Sequence, residues 1–291
     1  MDNFCKWEAI AAANAACRSP LSGRLGGKVV IVTGSAQGFG LGIAEALYKE
    51  GAYIVIADIN SSQAEEVAAA LGERAYSVAV DVRDERSVAQ MIGAAVERFL
   101  GLDLFISNAG VLKAGALEEL TKAEFEFVTS INYTAFFTCA KYAARIMKAQ
   151  RAANPDWSGD IIQINSKSGL IGSNKNFAYA GSKFGSIGLV QSFALELCSF
   201  GIKVNAICPG NFFDGPLWSD PEHGLFVQYL KAGKVSGAKC AQDVRRHYES
   251  LIPMKRGCLP GDVAKAILYA VEQQYETGQA IPVTGGQIML N

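Results

Sequence analysis

From Lys28 onward, short apolar runs alternate with longer segments that have the spacing of amphipathic helices. The runs are continuously apolar, which is typical of strands in a parallel sheet that is covered on both faces. They occupy residues 29–32, 53–57, 75–80, 104–106, 160–165, 203–207 and 280–283. The clearest helical patterns between them occupy residues 41–50, 62–71, 87–99 and 183–200. The alternation predicts an α/β, doubly wound fold with a seven-stranded parallel sheet and helices on both faces.

Two segments depart from this alternation. Residues 1–27 hold an Ala-rich stretch, which predicts a short helix or a frayed tail, and then a linker that contains Ser19-Pro20 and several glycines. Residues 28–291 form a single predicted domain. Inside that domain, residues 211–257 form a long, polar segment with three prolines, and its hydrophobic pattern is neither that of a strand nor that of a single helix. Because this segment follows the carboxyl end of a strand, where open α/β sheets bind ligands, we predict that it is a substrate lid.

The composition excludes several classes of protein. Half of the 291 residues are hydrophobic, which is too many for a disordered chain. The 27 basic and 28 acidic residues leave no basic field for nucleic acid, and no apolar run approaches the roughly 20 residues of a membrane span. Seven scattered cysteines and two histidines favour free thiols in a reducing compartment and no metal site. We therefore predict a cytoplasmic protein with no nucleic-acid or membrane partner.

A glycine-rich turn follows the first apolar run and reads T-G-x-x-x-G-x-G, with glycines at 34, 38 and 40. Glycines allow the backbone to turn sharply and to approach a pyrophosphate, whose charge then lies at the N-terminus of the next helix. The general fingerprint G-x-G-x-x-G is not met, because Ile43 occupies its last position. A plain strand–helix turn is the alternative. The place of the turn after the first strand favours a nucleotide site.

Asp58 ends the second apolar run, 18 residues after Gly40. This is close to the offset of about 20 residues at which an acidic side chain binds the adenine ribose hydroxyls. A carboxylate there would repel a 2′-phosphate, so we predict NAD rather than NADP. The alternative role is that of a helix N-cap, since polar residues and a helix follow. The two roles can coexist.

The turn motif resembles the cofactor motif of the short-chain dehydrogenase/reductase family, and the resemblance covers residues 28–291. It implies a Rossmann-type, dinucleotide-binding catalytic domain. It also implies an NAD contact along the turn, from Gly34 through Gln37, Gly38 and Phe39 to Gly40.

Two further segments match the cofactor-binding pattern of the resembled family. The resemblance implies that Asp81 and Val82 contact the adenine edge. The family's N-N-A-G motif is represented by Asn108, Ala109 and Gly110, and Ser107 replaces its first asparagine.

Ser166, Tyr179 and Lys183 form the clearest chemical pattern. Tyr179 and Lys183 are four residues apart on a predicted helix, so they share a face, and an ammonium beside a phenol lowers a pKa of about 10 toward neutrality. Ser166 follows an apolar strand and precedes the tyrosine by 13 residues. An isolated Y-x-x-x-K on an ordinary exposed helix is the alternative, and the neighbouring motifs argue against it.

The resembled family assigns a role to each of these residues. It implies that Tyr179 is the general acid and base, and that Ser166 binds the reacting oxygen. Lys183 would tune Tyr179 and bind the nicotinamide ribose, while Asn132 would join the proton relay. The turn Pro209-Gly210 would contact the nicotinamide. The last strand, followed by Thr284-Gly-Gly, would belong to a homotetramer interface.

Three stretches at 161–169, 253–258 and 277–287 are similar to those of the family's sorbitol-6-phosphate 2-dehydrogenases. The resemblance implies a small polyol phosphate or ketose phosphate substrate. A phosphate requires charge-assisted donors. The candidate donors near the carboxyl ends of the strands and in the lid are Lys167, Lys175, His223, Arg245 and Arg246.

Other functions stay open at this point. A dehydrogenase of free polyols or sugars would have the same catalytic residues. A 3-oxoacyl reductase would use NADP and a basic residue near the cofactor turn, where Gln37 and Asp58 stand instead. A non-catalytic dinucleotide sensor on the same fold would typically have lost Tyr179 or Lys183.

Overall fold

Seven parallel strands form one sheet in the order β3-β2-β1-β4-β5-β6-β7. The computed structural model describes residues 3–16 and 23–289. The strands are β1 Val29–Thr33, β2 Tyr53–Asp58, β3 Ala75–Ala79, β4 Leu104–Ser107, β5 Gly159–Ile164, β6 Ile202–Pro209 and β7 Ala280–Val283. The predicted doubly wound, seven-stranded parallel sheet is therefore confirmed.

Helices cover both faces of the sheet and separate it from solvent. The helices are α1 Asn3–Ala15, α2 Gly38–Lys49, α3 Ser61–Leu71, α4 Glu85–Phe99, α5 Lys122–Thr129, α6 Ala135–Ala153, α7 Phe177–Leu197, α8 Pro216–Ser219, α9 Leu225–Lys231, α10 Ala241–Ser250 and α11 Pro260–Glu272. One apolar core lies between the sheet and α2, α3 and α11, and the other lies beneath α1, α4, α6 and α7. Within the described residues, no helix has the length and apolar character needed to cross a membrane.

Several helices begin earlier than the hydrophobic pattern predicts. Helix α2 begins at Gly38 rather than 41, directly in the glycine-rich turn. Helix α4 begins at Glu85 because the Asp84 side chain accepts a hydrogen bond from the Arg86 backbone N–H, 2.9 Å away. The first turn of α4 is polar and that of α2 contains two glycines, so a search for apolar spacing finds only the later part of each helix.

The Ala-rich segment near the N-terminus forms helix α1, which packs against α4 and α6. Within this helix, the side chain of Phe4 is buried, and the Trp7 indole N–H donates to the Glu97 carboxylate at 2.8 Å. The Glu8 carboxylate accepts from Arg145 at 3.0 Å. Of the predicted linker, residues 17–22 lie outside the described part of the chain, and these include Ser19-Pro20.

The predicted lid contains α8, α9 and α10, which share an apolar cluster of their own. Phe213, Trp218, Phe226 and Tyr229 are buried in it, with ring centroids 5.1 to 5.7 Å apart in the contacting pairs. The lid therefore has a small aromatic core separate from the two cores of the sheet.

Gly93 on α4 makes close contact with the ring of Trp7, and this contact is testable. A Cβ atom at Gly93 would lie 2.2 Å from that ring. We expect Gly93→Ala to destabilise the fold by about 1–3 kcal/mol, because the extra methyl overpacks the α1–α4 contact. Thermal and urea unfolding measure the effect.

In the Trp7→Ala background, the same Gly93→Ala substitution should change the free energy of unfolding little. An equal effect in both backgrounds would show that the contact with Trp7 is not the cause.

Candidate active site

A cleft of about 1010 Å³ opens at the carboxyl ends of the strands, between the sheet and the lid. Every residue that the sequence assigns to the cofactor lines this cleft, except Gly40. Ser166, Tyr179 and Lys183 line it as well. The structure thus brings the predicted cofactor and catalytic residues to one continuous surface.

The glycine-rich turn is tied to the chain segment after β4 by reciprocal hydrogen bonds. The Thr33 hydroxyl accepts from the backbone N–H groups of Asn108 and Ala109 at 3.0 and 3.1 Å. In return, the Asn108 side-chain amide donates to the carbonyls of Thr33 and Gly34 at 2.9 and 3.0 Å. Asn108 therefore has a structural role in shaping the turn, in addition to its predicted contact with the cofactor.

Glycine is required at two positions of this turn for different reasons. Gly34 has a φ of +65°, in the left-handed region that side chains disfavour. A Cβ atom at Gly40 would lie 2.1 Å from the Gly34 carbonyl oxygen, so Gly40 packs beneath the turn and does not line the cleft.

The start of α2 fits a dinucleotide pyrophosphate. The N-cap residue, Gln37, makes no side-chain capping bond, which leaves the N–H groups of the first turn for a ligand. Gly38 has open space above it, where a Cβ atom would come no closer than 3.8 Å to Pro216 of the lid. The first turn of α2 is therefore accessible to a ligand, whereas the N–H groups of Gly34, Ser35 and Ala36 are bonded within the protein.

Asp58 lines the cleft at the end of β2, and both of its carboxylate oxygens accept backbone hydrogen bonds. The donors are the N–H groups of Ala36 and Asn60, each at 3.0 Å. The alternative role of Asp58 as a helix N-cap is wrong, because Asn60 caps α3 by accepting from the Gln63 N–H. The carboxylate is instead fixed beside the glycine-rich turn.

Asp81 lines the same end of the cleft and is paired with Arg83. The Arg83 guanidinium donates to both carboxylate oxygens, at distances between 2.6 and 3.2 Å. This guanidinium lowers the pKa of the Asp81 carboxyl. Arg83 also lines the cleft, and sequence reasoning missed it because only the family pattern at Asp81 and Val82 was considered.

Ser166 follows β5 and Tyr179 lies on α7, and both residues line the cleft. A buried asparagine, Asn165, connects the segment after β5 to helix α7. Its side-chain amide donates to the Lys183 carbonyl on α7 at 2.9 Å, and its oxygen accepts from the Ser166 N–H at 2.8 Å. Sequence reasoning treated Asn165 only as the end of a strand, so this positioning residue was missed.

Burial shifts the pKa values of Tyr179 and Lys183 in opposite directions. It raises the pKa of the Tyr179 phenol, although the hydrogen bond with Ser166 lowers it in part. It lowers the pKa of Lys183 to about 8. Burial is therefore the largest effect on the phenol pKa in this structure, and the lowering of that pKa by Lys183 stays a prediction. The Lys183 ammonium donates to the Ile164 carbonyl at 2.7 Å and lies 5.6 Å from the centroid of the phenol ring.

Asn132 lies below the cleft rather than on its surface. It belongs to a π-helical turn, Ser130–Thr134, between α5 and α6. Its side-chain oxygen accepts from the Val111 N–H, and its amide donates to the Val111 carbonyl, both at 2.9 Å. A Cβ atom at Gly110 would lie 3.3 Å from the Asn132 oxygen and 3.9 Å from the Lys183 nitrogen, so the predicted relay partners flank Gly110.

The predicted substrate cations separate into two groups. Lys167 and His223 line the cleft, whereas Lys175, Arg245 and Arg246 do not. Arg245 instead pairs with Asp214 at 2.7 Å and with Glu249 at 2.8 Å.

Arg246 is likewise occupied by a carboxylate, because it pairs with Asp243 at 2.7 Å. A lysine that the sequence analysis did not consider, Lys234, lines the cleft from the lid. No spacing pattern distinguishes it from the other lysines of that segment.

Comparison with known proteins agrees with this geometry. The model of the short chain dehydrogenase family matches residues 28–218. The chain is 36% identical to the sorbitol-6-phosphate 2-dehydrogenase of Escherichia coli, over 90% of this chain and 99% of that protein.

Solved structures of similar proteins have the same fold. The sorbitol-6-phosphate 2-dehydrogenase of Erwinia amylovora superposes with a TM-score of 0.82 and 34% identity, covering 90% of this chain and all of that one. A 3-ketoacyl-(acyl-carrier-protein) reductase from Brucella melitensis, complexed with NADH, has a TM-score of 0.78 and 26% identity, covering 90% and 99% of the two chains. The family expected from the sequence motifs is thus confirmed: the chain is an oxidoreductase of the short-chain dehydrogenase family, which uses nicotinamide dinucleotide cofactors.

Proposed function

We propose that this enzyme interconverts sorbitol 6-phosphate and fructose 6-phosphate with NAD as the cofactor. The observation that carries the proposal is the meeting of Ser166, Tyr179 and Lys183 in a cleft whose other end holds the glycine-rich turn and Asp58. Similarity to the Escherichia coli sorbitol-6-phosphate 2-dehydrogenase supports the substrate. The presence of Lys167 in the cleft supports a substrate that carries negative charge.

Each residue of the site has a part in this reaction. When bound, the nicotinamide ring supplies the acceptor for the hydride that leaves the alcohol carbon. Tyr179 takes the hydroxyl proton during oxidation of the alcohol and returns it during reduction of the ketone. Ser166 hydrogen-bonds the reacting oxygen, and the buried Lys183 ammonium favours the phenolate form of Tyr179 through its charge.

The choice of NAD rests on the charge of Asp58. A 2′-phosphate at the ribose would approach a fixed carboxylate and would be repelled. This charge also argues against a 3-oxoacyl reductase that uses NADP. The presence of both Tyr179 and Lys183 argues against a non-catalytic sensor.

We also propose a homotetramer in the cytoplasm. Phe137 on α6 and Phe184 on α7 are about half exposed, as expected for helix faces that pack against another subunit. Within the described residues, the six cysteines are free, which fits a reducing compartment.

Replacement of Asp58 tests the cofactor preference. We expect Asp58→Asn and Asp58→Ala to reduce the ratio of kcat/KM for NAD over NADP by at least about tenfold, since a charge-assisted hydrogen bond contributes about 1.5–3 kcal/mol. Asp84→Ala is the matched control, because Asp84 caps α4 outside the cleft and should leave the ratio unchanged. Equal use of NAD and NADP by the unmodified enzyme would contradict the proposal.

Removal of the Tyr179 hydroxyl tests the acid–base assignment. We expect Tyr179→Phe to lower kcat by about 10²–10⁴-fold, because the ring stays and only the transferable proton is lost. NADH binding, followed by fluorescence titration, should be retained. Tyr269→Phe should leave turnover unchanged, since that hydroxyl bonds Glu276 outside the cleft. Turnover near normal in Tyr179→Phe would show that another group moves the proton.

Comparison of sorbitol 6-phosphate with sorbitol tests the substrate. At low ionic strength, we expect kcat/KM for the phosphate ester to exceed that for the free polyol by at least about 10²-fold, which corresponds to about 2.7 kcal/mol. Both substrates are assayed with saturating NAD by following NADH formation. If free polyols were oxidised equally well, a general polyol dehydrogenase would be the better description.

A further inference from the structure

Two lysines from different parts of the chain face the same cleft. Lys167 lies in the 3₁₀ turn Lys167–Gly169, directly after Ser166 at the end of β5. Lys234 lies in the lid, in the loop after α9. Both are partly buried, and both line the cleft beside the catalytic residues. The two lysines therefore reach one cleft from different parts of the chain, the turn after β5 and the lid.

Neither lysine has an opposing charge within reach. In the described part of the chain, the arginines and His223 of the lid have carboxylate partners, and no carboxylate lies within 4.0 Å of Lys167 or Lys234. The Lys234 ammonium donates to the Asn174 carbonyl at 3.5 Å and lies 3.9 Å from the centroid of the Tyr229 ring. Partly buried cations without a counter-charge are unfavourable.

The acidic groups of the cleft do not neutralise these lysines. Asp58 and Asp81 lie at the cofactor end, where backbone N–H groups and Arg83 occupy their oxygens. In the lid, an oxygen of Asp220 accepts from the backbone N–H groups of Glu222 and His223 at 2.9 and 2.6 Å. Among the described residues, Lys167 and Lys234 line this end of the cleft without a carboxylate partner, whereas His223 lies 3.9 Å from the Glu222 carboxylate.

The two lysines also act on each other. Burial lowers the pKa of Lys167, and the positive charge of Lys234 lowers it further. Burial likewise lowers the pKa of Lys234, with Lys175 as the nearby charge. Lys175 lies outside the cleft, so it adds positive potential without lining the surface. An anion bound between Lys167 and Lys234 would relieve this repulsion.

We propose that Lys167 and Lys234 form the subsite that binds the phosphate group of the substrate, an inference that rests on the proposed function. The lysine ammonium is a compact charge that suits a phosphate dianion. Because one lysine lies on the sheet and the other on the lid, the phosphate bridges these two parts and holds the lid over the bound substrate. Binding energy at the phosphate then orients the distant hydroxyl against Ser166 and Tyr179.

Kinetics with two substrates test the subsite. We expect Lys167→Met and Lys234→Met each to lower kcat/KM for sorbitol 6-phosphate by at least about tenfold, which corresponds to about 1.4 kcal/mol. The kcat/KM for free sorbitol should change by less than about twofold, since a neutral polyol gains nothing from these charges. Methionine keeps most of the apolar stem, and thermal unfolding checks that each variant is folded. Lys231→Met is the matched control, because Lys231 is exposed on α9 and does not line the cleft.

Inorganic phosphate provides a second probe of the subsite. With saturating NAD, we expect phosphate to inhibit competitively against sorbitol 6-phosphate, because both would occupy the subsite between the two lysines. The inhibition constant should rise at least about tenfold in Lys167→Met and Lys234→Met and stay unchanged in Lys231→Met. Loss of the repulsion between the lysines should also leave the melting temperature of either variant equal to or above that of the unmodified enzyme.

The outcomes separate the subsite from the proposed function. Equal losses of kcat/KM for sorbitol 6-phosphate and sorbitol would overturn the subsite, because the lysines would then act on the fold or on the polyol. A strong preference for sorbitol 6-phosphate that survives both substitutions would overturn the subsite and leave the function standing. Phosphate inhibition that depends on both lysines, without a preference for sorbitol 6-phosphate, would support the subsite and contradict the proposed substrate.

Discussion

Four hydrogen bonds join Thr33 and Gly34 to Asn108 and Ala109, and the rest of the site is built on this connection. Strand β1 lies between β2 and β4, so the chain leaves β1 and β4 toward opposite faces and opens a crevice above them. The hydrogen bonds close the floor of that crevice. They hold the glycine-rich turn at a fixed distance from Gly110, which lies against Asn132 and Lys183. The cofactor turn and the catalytic lysine thereby share one rigid frame.

The low dielectric of this frame governs the acid–base chemistry. Burial favours the neutral phenol of Tyr179 and the neutral amine of Lys183, so each charge is less favourable there than in water. The phenolate and the ammonium favour each other, and their attraction is stronger in the buried site than in water. The Ser166 hydrogen bond acts in the same direction by favouring the phenolate. Sequence spacing identifies these three residues, but the balance between burial and charge depends on the packed structure.

The sequence predicts the sheet and the cofactor turn well, because apolar runs and glycine spacing are local signals. It places the catalytic residues in one cleft for the same reason, since each follows a recognisable strand or helix. It fails where the partner of a side chain is decided by tertiary contacts. Arg245 and Arg246 have the expected charge, yet carboxylates of the lid itself occupy them. The π-helical turn around Asn132 also has no hydrophobic period that would reveal it.

The two ends of the cleft differ in how their charges are compensated. At the cofactor end, backbone N–H groups hold Asp58, and a guanidinium holds Asp81. At the lid end, the arginines are paired with carboxylates, whereas Lys167 and Lys234 face the cleft without one. The uncompensated positive charge is unfavourable in the free enzyme, and a dianion bound there recovers that free energy. A neutral polyol recovers none of it. In the proposed reaction, discrimination between substrates would therefore reside in the lid and the turn after β5, apart from the proton transfer assigned to Tyr179.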